Sequence, residues 1–142
     1  MNKSISLLLL FVIFSCSIGL SSCAKKEGVD TPFTRLVGKW KRVKLATDDN
    51  NNGQIEDREI FPDVANITNT IEFKKDSTGV EKTTFSPDLP FRWQITGEGA
   101  ITLFYAANFT ISYRVVSVTS HDLNLTTRAT TGLVGYYYES AN

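Results

Sequence analysis

The sequence predicts an all-β fold, a single small up-and-down antiparallel β-barrel of about eight strands, and three observations carry that expectation. From Gly38 onward no sustained helical period occurs, apart from a turn at 34–37 and weaker candidates between 58 and 65. Apolar and polar residues alternate instead, most cleanly where Phe91, Trp93 and Ile95 share one face and Arg92, Gln94 and Thr96 the other. The segments between alternating runs are hairpin-sized, which pairs neighbours antiparallel in sequence order and makes a meander. A sheet with one wet face must bury the other. A meander of this size does so by curling and closing, which also removes its edges and favours a barrel over a two-sheet sandwich.

At the amino terminus, Asn2 and Lys3 precede an apolar run from Ile5 through Leu20 that only small polar residues interrupt. It reads as an export signal, since about sixteen residues are short for a ~30 Å hydrocarbon core. Leu20-Ser21-Ser22-Cys23 resembles the bacterial lipobox, which implies cleavage before Cys23 and a diacylglycerol on its thiol. Several acyl chains give stable membrane attachment where one does not. The expected organisation is a signal peptide over 1–22, a lipidated flexible tether over 23–34 and one domain over 35–142. The expected location is the bacterial cell envelope, anchored to the outer membrane and facing either the periplasm or the cell surface. Cys16 falls in the discarded segment and Cys23 is consumed by lipid, so the domain must rely on its core rather than on a disulfide.

The first strand, 39–46, contains a conflict. Trp40 shares its face with Arg42 and Lys44, while Val43 and Leu45 share theirs with Lys39 and Lys41. A bulge that switches faces after the tryptophan is the favoured reading. The other is a partly polar interior that holds an anionic or amphiphilic ligand, because a buried charge needs a partner.

After that strand comes Asp48-Asp49-Asn50-Asn51-Asn52-Gly53-Gln54-Ile55-Glu56-Asp57-Arg58-Glu59, a spacing that suits Ca²⁺. The ion takes six to eight oxygen ligands, and a twelve-residue loop supplies them from positions 1, 3, 5, 7, 9 and 12. Here those positions are Asp48, Asn50, Asn52, Gln54, Glu56 and Glu59. Gln54 would offer its backbone carbonyl, Glu59 both oxygens, and Ile55 an inward apolar anchor. The alternative is a polar loop rich in Asn and Asp because those residues tolerate tight turns. The twelve residues resemble the calcium loop of EF-hand and dockerin proteins, but the β-branched and aromatic run before them is no EF-hand helix. A loop carried at a strand end is expected, with a structural, weakly held ion.

The remaining strands are expected at 68–74, 79–85, 91–96, 100–104, 109–118, 122–129 and 133–139. Leu36-Val37-Gly38-Lys39-Trp40 resembles the opening of lipocalin-like domains, and the runs Phe91-Arg92-Trp93-Gln94-Ile95, Ile101-Thr102-Leu103, Tyr113-Arg114-Val115 and Leu123-Asn124-Leu125 are similar in order and spacing to Bacteroidetes-type lipocalin-like lipoproteins. The resemblance implies an indole across the closed end of the barrel. It also makes Arg128 the candidate to stack on Trp40.

Fifteen basic residues balance fifteen acidic ones, and no basic stripe with interleaved aromatics occurs, so nucleic acid is a poor partner. No nucleophile with a base and no paired carboxylates point to an enzyme, and His121 sits in a polar turn. What remains is binding: a small apolar or amphiphilic ligand in a cavity lined by Trp93, Phe109 and Tyr113, or an envelope protein partner on the surface of a filled barrel. A monomer is expected. The tyrosine run Tyr136-Tyr137-Tyr138 alternates faces, which puts at least one ring outside.

Overall fold

The computed structural model describes residues 33–141; the export segment and Cys23 lie outside the described residues. Nine strands follow one another: β1 (Gly38–Thr47), β2 (Ile60–Pro62), β3 (Asn69–Phe73), β4 (Thr78–Thr83), β5 (Ser86–Gly97), β6 (Ala100–Tyr105), β7 (Thr110–Val118), β8 (Asp122–Ala129) and β9 (Gly132–Ser140). From β3 to β9 each strand pairs antiparallel with the next, and β1 pairs with both β3 and β9. The result is a closed eight-stranded antiparallel barrel, as the meander predicts. β2 is the extra strand, lying beside the far half of β1 through Lys44↔Pro62 and Ala46↔Ile60.

Alternation decides what fills the barrel. Trp40, Ile71, Phe73, Phe91, Ile101, Leu103, Leu123 and Leu125 are all buried in one core with Leu36, Tyr113 and Tyr138. The intervening outer positions stay polar, as where the Thr102 hydroxyl bonds to those of Thr96 (3.2 Å) and Ser112 (2.9 Å). Trp40 closes one end, its indole N–H donating to the Leu36 carbonyl at 2.9 Å. Phe33, assigned to the spacer by sequence, packs against this core and Leu36 N–H donates back to its carbonyl at 3.2 Å. Gly79 makes room for Phe91, whose ring and the Glu72 carbonyl occupy the place of any Cβ there.

The expected bulge in β1 is present. Register shifts between Arg42 and Lys44, so Val43 is the extra residue, and Arg42 pairs with Tyr138 while Leu45 pairs with Tyr136. A second bulge, between Val115 and Ser117, turns Val116 outward, 59% exposed.

Three expectations need correction. The weak helical candidates over 58–65 resolve into a single 3₁₀ turn, Asp57–Glu59, followed by β2. Residues 86–90, read as a hairpin-sized connection, belong to β5: Val80 pairs with Pro90 and Thr83 with Ser86. Pairing of β5 with β6 starts only at Phe91, so both prolines lie where the strand has a neighbour on one side alone and the missing N–H is tolerated. Arg128 does not stack on Trp40. It is exposed and pairs with Leu133, whereas Trp40 lies at the other end of the barrel opposite Ile71 and Ser140.

Candidate functional site

Two places bring chemistry-bearing residues together. The first is the loop 48–59, which hangs between β1 and β2. Its two end carboxylates, Asp48 and Glu59, are 1% and 3% exposed. Asp48 accepts from the backbone N–H of Asn52 (3.0 Å) and Gly53 (2.8 Å). Glu59 accepts from Asp49 (3.1 Å) and Glu56 (2.9 Å). The Asn50 and Asn52 side-chain oxygens accept from Asn52 and Gln54 N–H at 2.9 and 2.8 Å, so the loop coils on its own oxygens. Gly53 turns the chain at φ 80°, which a side chain rarely permits.

Glycines in β9 seat this loop on the barrel. A Cβ on Gly135 would lie 2.6 Å from Ile55 Cδ1, and one on Gly132 (φ +124°) 2.7 Å from Asn51 Oδ1. The Asp48 N–H donates to the Leu133 carbonyl at 2.9 Å. Ile55 is thus the inward anchor that the spacing suggests, covering Gly135 and Ala46 on the outside of the barrel.

Neither Asp48 nor Glu59 makes an ion pair among the described residues, whereas Glu56 Oε2 is 2.8 Å from Arg58 Nη2. Each oxygen of these two nearly buried end carboxylates accepts a backbone N–H, a wholly hydrogen-bonded arrangement. Glu56 departs from it. Its Oε1 takes the Asn52 side-chain amide at 3.1 Å, and among the described residues no three His, Cys, Asp or Glu side chains gather to hold a metal.

The second place is inside the barrel, toward the end where β1, β4, β6 and β8 finish. The bulge leaves Arg42 on the inner face, opposite the buried Tyr138, with its guanidinium 5.9 Å from the Tyr136 ring centroid. Arg42 Nε donates to both oxygens of Asp63, at 3.1 and 3.0 Å. Glu81 also faces inward, paired across the sheet with Ile71, and accepts from the Tyr105 hydroxyl at 2.8 Å. The conflict read in the first strand therefore resolves both ways: there is a bulge, and there is charge inside.

Tyr105, Tyr113, Tyr136 and Tyr138 line the space between these charges. Burial pushes all four phenols above their ordinary pKa; the Glu81 charge raises them further, and the Arg42 charge opposes the rise at Tyr113, Tyr136 and Tyr138. They remain neutral donors at physiological pH. The hydroxyls of Tyr113, Tyr136 and Tyr138 have no hydrogen-bond partner among the described residues, yet no buried side-chain oxygen there is left unpartnered. Tyr113 and Tyr138 are buried in the core, 7% and 5% exposed, and Tyr136 packs against it half-buried. At the same end Phe61, Phe85, Leu89 and Phe109 are 52%, 78%, 45% and 57% exposed.

Of the expected lining residues, Tyr113 is in this interior and Phe109 is at its rim, against Tyr105 with centroids 5.6 Å apart. Trp93 is elsewhere. Its ring packs on Phe73 and its N–H donates to the carbonyls of Lys74 (3.3 Å) and Thr78 (3.1 Å), capping the β3–β4 turn. Arg42 and Glu81 were missed as site residues. His121 is exposed in the β7–β8 turn, bonded to Ser120 at 2.8 Å, while Asp122 engages Thr119.

The fold is a closed antiparallel β-barrel with an apolar core, and toward one end it carries tyrosines, two inward charges and an exposed apolar rim. No family model matches the chain, and no curated protein matches it.

Proposed function

We propose that this is a lipid-anchored envelope binding protein of lipocalin-like build, whose barrel takes a small amphiphilic ligand and whose loop 48–59 holds a structural Ca²⁺. The observation that carries the reading is the set of three inward tyrosines whose hydroxyls make no hydrogen bond among the described residues, in a barrel rimmed by exposed Phe61, Leu89 and Phe109. Hydroxyls within and apolar rings at the mouth suit a molecule with one polar and one apolar end. Asp48, Asn50, Asn52, Gln54, Glu56 and Glu59 would hold the ion. Bound there, it neutralises two buried carboxylates and ties the loop to the barrel.

A second reading, a surface interaction module with a filled barrel, draws support from Phe85, 78% exposed at the same rim. An uncharged fluorescent amphiphile, a dansyl-labelled fatty alcohol, separates the two. Under the ligand reading the chain from Ala24 onward takes it up, and Tyr113→Phe or Phe109→Ala weakens uptake about tenfold, as the loss of one hydrogen bond or ring contact implies. Absence of uptake, with crosslinks that Phe85→Ser removes, favours the module. The ion is tested by thermal unfolding in EGTA, in ~5 mM Ca²⁺ and in Mg²⁺. Calcium alone should raise the midpoint by several degrees, as about 2 kcal/mol of linked binding requires, and Asp48→Ala with Glu59→Ala should abolish the rise.

A further inference from the structure

The charges inside the barrel do not balance. Arg42 is matched by Asp63, whose carboxylate takes its Nε through both oxygens, with side chains only 20% and 12% exposed. Glu81 has no such match. Among the described residues the ion pairs are Arg42–Asp63, Arg58–Glu56 and Lys82–Asp88, and none reaches Glu81.

Its direction is fixed by register. Glu81 stands opposite Ile71, 2% exposed, on one side and Leu89 on the other, so its side chain enters the barrel rather than the solvent outside. The Tyr105 hydroxyl satisfies one lone pair at 2.8 Å but brings no charge. A carboxylate sheltered in this way lacks the opposite charge that offsets desolvation. Tyr105, Tyr113, Tyr136 and Tyr138 all lie within electrostatic reach of it. Aromatic faces carry negative potential, so tyrosine walls around a carboxylate favour a cation and repel a second anion. Arg42, whose guanidinium lies 5.9 Å from the Tyr136 ring centroid, is held through its Nε by Asp63 and makes no ion pair with Glu81.

We propose that Glu81 anchors a cation-binding site, and that the amphiphile taken by the barrel carries an alkylammonium group that sits against this carboxylate among Tyr105, Tyr113, Tyr136 and Tyr138. The apolar part of the molecule then points toward Leu89, Phe109 and Phe61. This rests on the reading of the barrel as a ligand site and narrows it to one headgroup charge.

The test uses three probes with the same dodecyl chain, dodecyltrimethylammonium, dodecanol and dodecanoate, each kept below its micelle concentration. They are titrated calorimetrically into the chain from Ala24 onward, whose described part closes a complete barrel around its own core. The ammonium should bind about tenfold tighter than the alcohol or more, and dodecanoate weakest, because a charge-assisted contact is present in the first case and repulsion in the last. Glu81→Gln should bring the ammonium down to the affinity of the alcohol for the same variant. Tyr105→Phe, which keeps the charge, should cost the ammonium less than Glu81→Gln does.

Equal affinity for the three probes, or dodecanoate as the tightest, overturns the cation site while the barrel remains a ligand site. No binding by any probe overturns both readings. The ranking on the unaltered protein decides the matter even if Glu81→Gln does not fold.

Discussion

Single atoms decide how the loop 48–59 meets the barrel. Gly135 has no room for a methyl group: its Cβ would lie 2.6 Å from Ile55 Cδ1, 3.3 Å from the Tyr137 ring and 3.4 Å from Ala46 Cβ. Because Ile55 Cδ1 is the tip of a flexible side chain that can turn aside, Gly135→Ala is expected to destabilise the protein by about 1 kcal/mol, the low end for overpacking. Shortening the opposing side chain removes the closest contact. Gly135→Ala with Ile55→Ala should cost less than the two single substitutions summed, and denaturant unfolding of the four proteins measures that coupling. Additive costs would show that Ile55 does not rest on Gly135. Sequence gave Ile55 its inward direction through loop spacing, but its partner stayed hidden, because a glycine in a strand marks close approach without saying of what. Glu81 was harder still. In Gly79-Val80-Glu81-Lys82-Thr83 neither face is clearly apolar, and the one large aliphatic residue, Val80, points away from the core; only the pairing with Ile71 turns Glu81 inward.

At the level of elements, strands were legible where alternation ran for five residues or more and failed where length or proline broke the pattern. β2 has three residues, Ile60-Phe61-Pro62, too few to alternate. The first five residues of β5 carry two prolines that a paired edge tolerates and a sequence rule rejects. Alternation also tells which face a residue takes but not which end of the barrel, and so Trp93 was grouped with Phe109 although it caps the β3–β4 turn. What the elements add is a mechanical link. β1 and β9 close the barrel from Trp40↔Ser140 to Thr47↔Val134, and the loop 48–59 leaves from the end of that seam, bonded to it through Asp48 N–H and the Leu133 carbonyl. An ion in the loop should stiffen the seam. Amide exchange at Leu45, Ala46, Val134 and Gly135 should slow in Ca²⁺ relative to EGTA, while Ile101 and Leu103 on the far side change little. Uniform slowing across the barrel would mean that calcium acts on global stability alone.

Across the whole molecule, four of the five tyrosines share one electrostatic environment around Glu81. All five have raised pKa values, with burial the leading cause in each; Glu81 adds to Tyr105, Tyr113, Tyr136 and Tyr138, and Asp57 to Tyr137. In the unfolded chain each phenol ionises near pH 10. Below that pH both states keep their protons, and the tyrosines leave stability independent of pH. Above it the unfolded chain releases protons that the barrel retains, so stability falls as pH rises, by no more than about 1.4 kcal/mol per pH unit for each phenol held neutral. Phenolate absorbance should consequently appear together with the loss of barrel circular dichroism in one alkaline transition, preceded at most by the more exposed Tyr137. Glu81→Gln removes the negative charge that raises four of these pKa values, and should move the appearance of phenolate to lower pH if the phenols ionise in place in the native state. An unchanged transition would show instead that the barrel opens before any interior tyrosine loses its proton.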